Sequence, residues 1–382
     1  MHFLTLSSRI YKWVGIIMCG TMLIAPVAHA DQEASDINKI VTAALSKQKL
    51  PAKIDIFVRE IAGWKGDEPR RWGYGTYLCD SSTDPQHGAC ETSTKYSGGE
   101  AESEIVLTFT ERKTKNSVNL KLGAYRQAYG RGEAARCSGG FFTNEHYAIN
   151  DRFTPNCIGY LRQGSGLSVY ISTAQLALLP SGGIWEADLK INVMQGEPFQ
   201  KAAEWRVHIQ LNVDDNAAQL YFPAFHTATP RIALNLRDTG KNMAGAGQSY
   251  LDMCMYDGYG ANSQSLQLTL SDGVMLPDRS STDFTIIKQG ALNTDKSQRI
   301  DFQAFVEWNG MTRQFTNQSA LIIPRNDYGD YRLVMLPGIN VPVACTLGRL
   351  RLSTPAFDHA TKAAGQYSGT LRLEFKVETG IP

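Results

Sequence analysis

Apolar and polar residues alternate along most of the chain beyond residue 51. Ile105, Leu107 and Phe109 form one run and Val118, Leu120 and Leu122 another, with Lys115 and Asn116 in the turn between. Two longer runs follow: Trp185, Ala187, Leu189, Ile191 and Val193, then Trp205, Val207, Ile209, Leu211 and Val213. A period of two, interrupted by turn residues, predicts antiparallel strands with one face buried. The alternation lapses in the polar stretch 214–217, which reads as a linker. It resumes in Ile232, Leu234 and Leu236, in Leu266, Leu268 and Leu270, and in Ile300, Phe302, Ala304 and Val306. Leu321 and Ile323 continue it, and Leu371, Leu373, Phe375 and Val377 end it. One segment departs from the pattern. Ile37, Ile40, Val41, Ala44 and Leu45 recur at helical spacing behind Ser35 and Asp36, two capping residue types, and Pro51 stops the run. A single amphipathic helix is expected there. Each half of the chain is long enough to bury its own core, so the expected fold is all-β, two sandwiches in tandem.

The first thirty residues stand apart. Arg9 and Lys12 precede an apolar run over 13–27, and Ala28-His29-Ala30 supplies a small-x-small cleavage pattern. That run is shorter than the roughly 20 residues a membrane-spanning helix needs. Residues 1–30 therefore read as a secretory signal peptide. Its removal takes Cys19 and leaves six of the seven cysteines, an even number that suits disulfides in an oxidising compartment. Spacing favours Cys79 with Cys90 and Cys137 with Cys157, which leaves Cys254 to Cys345. No CxxC pair exists and the histidines are scattered, so no metal site is expected.

Composition narrows the function classes. Lys and Arg number 38 against 37 Asp and Glu, a balance that argues against a nucleic-acid-binding surface spread over the molecule. The sequence holds no Gly-x-Ser-x-Gly elbow, no His-Glu-x-x-His and no Walker loop. Gly245-Ala246-Gly247 and Gly258-Tyr259-Gly260 lack the third glycine of a dinucleotide fingerprint and read as turns. No enzyme and no cofactor are expected. Two features favour binding. Arg112, Lys113, Lys115, Lys121, Arg126, Arg131 and Arg136 face only Glu133 in their stretch of chain. They make either a site for an acidic glycan or the solvated face of a hairpin. Trp64, Trp72, Tyr74 and Tyr77 lie beside Arg70 and Arg71, either as sugar-stacking rings or as core.

Met253-Cys254-Met255-Tyr256-Asp257-Gly258-Tyr259 resembles a signature of the minor tip subunit of class 5, colonisation-factor-type fimbriae. Met335-Leu336-Pro337-Gly338-Ile339, continuing through Val343-Ala344-Cys345 to Gly348-Arg349-Leu350, is similar in the same way. So are Leu179-Pro180-Ser181-Gly182-Gly183-Ile184-Trp185, Arg231-Ile232-Ala233-Leu234-Asn235-Leu236-Arg237, the placements of Cys79 and Cys90, and Ala364-Gly365-Gln366-Tyr367-Ser368-Gly369. The resemblance runs in order over nearly the whole chain beyond residue 30. It implies an immunoglobulin-like adhesin domain over 31–214, a linker over 215–217 and a pilin domain over 218–382. The pilin domain would be an incomplete sandwich completed by a donor strand. Leu371, Leu373, Phe375 and Val377 would line its open groove. Implied partners are a periplasmic fimbrial chaperone, an outer-membrane usher, a major pilin that donates its N-terminal strand, and a host glycan or glycoprotein receptor. The implied location is the fimbrial tip at the cell surface, reached through the periplasm. In family members, arginines from two places build a receptor pocket. Those places fall on Tyr74 and near Gln195 and Gly196, and none is arginine here. Arg70, Arg71, Tyr74, Lys201 and Arg206 are the candidates for a shifted basic site.

Overall fold

The computed structural model describes residues 31–130, 142–157, 159–225, 227–240, 243–244 and 247–378. The signal peptide, Gly245-Ala246, Arg131, Glu133, Arg136 and Cys137 of the expected Cys137–Cys157 bridge lie outside them. The N-terminal half forms strands β1 (Ile37–Ser46), β2 (Lys53–Trp64), β3 (Thr76–Leu78), β4 (Ser103–Glu111) and β5 (Ser117–Tyr129). It continues with β6 (Asn156–Cys157), β7 (Tyr160–Leu161), β8 (Gly164–Ser172), β9 (Gly183–Gln195) and β10 (Gln200–Asp214). Two short helices interrupt them, α1 (Pro69–Gly73) and α2 (Thr173–Leu176).

The long alternating runs fold as their period dictates. Strands β9 and β10 pair antiparallel, with Trp205 opposite Ile191, Val207 opposite Leu189, Ile209 opposite Ala187 and Leu211 opposite Trp185. All eight are buried on one face. Strands β4 and β5 do the same through Ile105 with Leu122 and Leu107 with Leu120. The eight-stranded sheet runs β1-β10-β9-β4-β5-β8-β2, with β3 on β9. It curls until its two edges meet. Phe57 of β2 packs on Trp205 of β10 at 5.2 Å, and the Lys39 ammonium of β1 lies 3.9 Å above the Phe57 ring. The enclosed core holds Trp185, Trp205, Phe57, Phe109 and Tyr77 among many aliphatics.

The expected helix over 37–45 is instead β1, which pairs in parallel with β10. Its segment satisfies both periods. As a strand it turns Ile37, Lys39, Val41, Ala43 and Leu45 inward and leaves Ile40 72% exposed. The backbone groups that β10 would otherwise present as an open edge decide between them, because pairing a whole strand outweighs a weak local helical preference.

The C-terminal half begins with β11 (Gln219–Tyr221), β12 (Asp238–Gly240), β13 (Met243–Ala244), β14 (Gly247–Tyr256), β15 (Ser265–Ser271), β16 (Asp283–Lys288) and β17 (Arg299–Trp308). It ends with β18 (Met311–Gln314), β19 (Ala320–Pro324), β20 (Tyr331–Val334), β21 (Val343–Thr354), β22 (Phe357–Asp358), β23 (Tyr367–Ser368) and β24 (Arg372–Glu378). One sheet runs β11-β14-β21-β17-β16-β23, with β18 on β17 and β20 on β21; a second runs β19-β15-β24. Leu251, Met253, Phe302, Val306, Leu350 and Leu352 of the first meet Leu266, Leu268, Leu270 and Ile323 of the second in one core. The chain is thus all-β with two sandwich-like bodies. Strand β12 leads to β13 and β22 in a small third sheet. The run Ile232, Leu234, Leu236 forms no strand. Ile232 and Leu234 still pack on the core, and side-chain bonds hold the segment: Ser249 Oγ to the Ala233 carbonyl and Asn235 Nδ2 to Ser249 Oγ at 3.1 Å. Cys79 is bonded to Cys90, and Cys254 to Cys345, as spacing favours.

The stretch after β10 is tightly held. Asp215 accepts from the Gly182 backbone N–H at 3.0 Å and from the Tyr256 hydroxyl at 2.6 Å, while its own N–H donates to the Gly258 carbonyl. Lys113 Nζ donates to the Ala261 carbonyl, and Asn116 Nδ2 to that of Pro342 at 2.8 Å. A Cβ on Gly182 would sit 1.9 Å from the Gly258 oxygen, so only glycine lets these backbones approach.

A buried ion pair fixes the loop after β15. Asp272 and Arg279 side chains are almost fully buried and bonded to each other, and Asp272 also accepts from Thr285 N, Val274 N and Asn317 Nδ2. Burial by itself raises the carboxyl pKa, but Asn317, Arg279 and the backbone donors outweigh it and hold it below its ordinary value. The stabilisation is therefore complete above the unfolded-state pKa of about 3.9 and is lost as pH falls through the lower folded value. Asp272→Ala should lose about 3–5 kcal/mol near neutral pH, because Arg279 stays buried without its partner. In urea melts that deficit should shrink below about pH 4; an unchanged deficit would contradict the linkage.

Candidate functional site

Helix α1 starts at Pro69, whose missing N–H costs nothing at that position, and its first turn follows Glu68. Trp72 anchors it in the interior, and Gly73 lies where a Cβ would be 2.0 Å from the Arg162 carbonyl oxygen. The turn joining β9 to β10 presses on this helix. Gly196 N–H donates to the Arg71 carbonyl at 2.6 Å, and a Cβ on Gly196 would strike the Arg70 oxygen and the Tyr74 Cβ. Tyr74 and the Gln195-Gly196 pair, 121 residues apart at their nearest, are therefore neighbours.

The cations here are already engaged. Arg71 forms a two-pronged pair with Glu33 at 3.0 and 2.6 Å, and its Nε donates to Gln195 Oε1 at 3.3 Å. Arg70 is exposed and lies 3.6 Å from Glu197. The cavity beside them, about 330 Å³, is lined by Asp67, Glu68, Pro69, Arg70, Arg71 and Glu197, so two guanidiniums meet three carboxylates. Lys201 and Arg206 belong to another cluster, on the outer face of β10. Both bind Glu204, as does Lys190, and Lys201 foremost draws the Glu204 carboxyl down to about 2. The five receptor candidates are thus divided between α1 and that face. A second cavity of about 550 Å³, lined in part by Lys39, His87, Asp188, Lys190, Arg206 and His208, lies against the latter.

The basic run does not form one surface. Arg112 binds Glu186 and Gln210, Lys121 binds Glu104, and Lys113 reaches Ala261. Arg126 is fully buried and ties three carbonyls together: Gly73, Gly75 at 2.8 Å and Phe153 at 2.7 Å. Burial lowers its pKa to about 10. Parity along β5 was the available signal, since Arg126 shares the inward positions of Leu122 and Ala124. Trp64, Trp72 and Tyr77 are core.

Sequence reading missed the surface beyond Tyr74. Tyr74 meets Tyr96 edge-on at 6.5 Å, Tyr96 meets Phe153 at 5.6 Å, and the Arg152 guanidinium lies 5.7 Å from the Tyr96 centroid. Buried Asp151 holds the two segments: it accepts from Ser97 N, Ser97 Oγ at 2.6 Å, Gly98 N and Phe153 N. Burial alone would raise its carboxyl pKa, but these donors keep it below the usual range. No group of His, Cys, Asp or Glu among the described residues is arranged to hold a metal ion.

At the edge of the C-terminal half, β24 bonds to β15 on one side and has no ladder partner on the other among the described residues. Leu371 just before it, with Leu373, Phe375 and Val377, is half-buried against the core, as are Ile232 and Leu234 of the unpaired segment.

The chain matches two models of CfaE, a CFA/I fimbrial subunit: that of the first domain over 26–216 and that of the second domain over 218–379. The CFA/I fimbrial protein CfaE of Escherichia coli is 30% identical over 308 residues, 78% of this chain and 79% of that protein. The crystal structure of CfaE, the adhesive subunit of CFA/I fimbria of enterotoxigenic Escherichia coli, superposes with a TM-score of 0.76 at 27% identity, covering 91% of this chain and 93% of that one. A chain from a chaperone–tip adhesin complex tied to CFA/I fimbriae biogenesis superposes at 0.67 with 26% identity, over 92% of this chain and 99% of that one.

Arg126 sets the height of α1, and lysine cannot donate in its forked geometry to three carbonyls. Each carbonyl left without a donor costs about 1–3 kcal/mol. Arg126→Lys should lose at least about 2 kcal/mol in denaturant melts and open residues 69–75 to protease, whereas Arg70→Ala should stay within about 0.5 kcal/mol. Equal stability of the two variants would refute the clasp.

Proposed function

Because the chain belongs to the CfaE family of CFA/I fimbrial proteins, we propose that it is the minor tip subunit of a chaperone–usher fimbria. It initiates assembly and binds a host cell-surface receptor, a glycoconjugate, through its N-terminal domain. In this reading residues 1–30 direct export, 31–214 form the adhesin domain, 215–217 the linker and 218–382 the pilin domain. Its relatives are adhesive fimbrial subunits, not enzymes, and a related chain is known in complex with a chaperone. An outer-membrane usher and a major pilin complete the assembly partners.

The observation that carries the assembly role is the open edge of β24. Leu371, Leu373, Phe375 and Val377 hold their side chains half in water, and residues 231–237 lie unpaired. A strand laid along that edge would satisfy backbone groups and bury these side chains, each worth about 1.5–3 kcal/mol when fully covered. Fusing the major pilin's N-terminal segment to the C-terminus should therefore raise Tm by more than about 10 °C. Phe375→Asp should abolish most of that gain. A fused chain that melts at the unfused temperature would defeat the donor-strand reading.

A second reading, initiation without receptor binding, draws on the α1 surface. Tyr74, Gln195 and Gly196 hold no cation, and Arg70 and Arg71 are matched by Glu197 and Glu33. Removing residues 31–214 decides between the two: if fimbriae assemble and adhesion persists at parental level, the second reading stands.

A further inference from the structure

We propose that Tyr96, flanked by Tyr74 and backed by Phe153, is a platform on which a pyranose ring of the receptor glycan stacks, with Arg152 donating to its hydroxyls. This rests on the receptor-binding reading above and names the chemistry of the ligand.

Three observations converge. Tyr96 is 57% exposed although two aromatic rings and the Arg152 guanidinium stand against it, so much of the residue is kept in water. The mount is rigid. Asp151 clasps Ser97, Gly98 and Phe153, the Lys95 and Arg152 backbones bond to Asn150 and Lys95, and Gly98 (φ +72°) leaves room for the Phe153 ring 2.9 Å from where a Cβ would be. Rigid aromatic surface with few convergent polar donors is what small-ligand sites are made of, and the electron-rich ring face attracts the weakly positive C–H face of a sugar. Arg152 supplies the donors. No carboxylate among the described residues pairs with its guanidinium, in contrast to Arg70 and Arg71.

The stacking contact does not depend on charge. The acids of the neighbouring α1 surface are paired, Asp67 and Glu68 with Lys65, Glu197 with Arg70 and Glu33 with Arg71. Covering the Tyr96 ring with a sugar face is insensitive to salt, unlike an ion pair between exposed groups.

The test is a glycan array with the full chain, carrying neutral glycans ended by galactose, N-acetylgalactosamine or N-acetylglucosamine beside their sialylated counterparts. Surface plasmon resonance would follow on the best ligand. The expected result is binding to one or more of these termini, weakened about tenfold or more by Tyr96→Ala and several-fold by Arg152→Ala, with Tyr96→Phe recovering most of the alanine loss. Both sites are at the surface, and matching thermal melts would confirm that the variants fold. Binding unchanged in folded Tyr96→Ala would overturn the platform and leave receptor binding intact. No binding to any glycan by the parent chain would overturn the glycan-receptor reading and the platform with it.

Discussion

Pairing between β9 and β10 is the constraint on which the N-terminal half depends. One face of the hairpin carries Trp185, Trp205 and the aliphatics between them, all buried, so a slip of one residue would turn that whole set outward. With the register fixed, β10 offers its far edge to β1 and β9 offers its own to β3 and β4. The same hairpin sets both ends of the half. At one end Gln195 and Gly196 press on α1; roughly 40 Å away, at the rise of an extended strand, Gly183 pairs with Val213 beside Asp214 and Asp215. The geometry of the α1 surface and that of the junction are thus set by one ladder.

The ladder was legible in the sequence because its alternation is long and unbroken, and few other structures bury five residues at a period of two. The segment 37–45 was not legible in the same way. Its apolar residues fit two periods, and the deciding group, the free edge of β10, lies 168 residues away in the chain. Residues 231–237 failed for the reverse reason. Their alternation is real and their inward residues reach the core, but among the described residues no neighbouring strand supplies the backbone pairing that makes a strand. Hydrophobic pattern reports which face is buried. It does not report which edges are filled.

The candidate site was legible in place but not in charge. Proximity in sequence led from the cysteine-flanked aromatics to Arg70 and Arg71, and resemblance led to Tyr74, Gln195 and Gly196; the fold brings these together. What sequence counting could not supply is the partner of each cation. Arg112 and Lys121 look like parts of a patch only until their acids are found: Glu186 is 74 residues from Arg112, and Glu104 stands on the neighbouring strand β4, just before the counted stretch. Arg126 reverses the expectation altogether, because its positive charge is spent on backbone carbonyls inside the protein. Tyr96 escaped notice because it belongs to no run, and its importance arises from Asp151, more than fifty residues on, which fixes the segment that carries it.

The two halves place their unsatisfied chemistry differently. In the N-terminal half the edges of the sheet meet through the side chains of Lys39, Phe57 and Trp205, the cations of α1 are matched, and what is left over is aromatic surface held on a rigid mount. In the C-terminal half the buried charges of Asp272 and Arg279 are paired with each other, and what is left over is backbone, along β24. An aromatic face exchanges freely with ligands, since burying it requires no ordering of the protein. An unpaired strand edge flanked by half-buried Leu373, Phe375 and Val377 favours an occupant that supplies a whole strand at once, because each added residue gains both a backbone partner and an apolar neighbour. Under the proposed function, reversible contact at one end and lasting capture at the other would follow from which groups each sandwich leaves exposed.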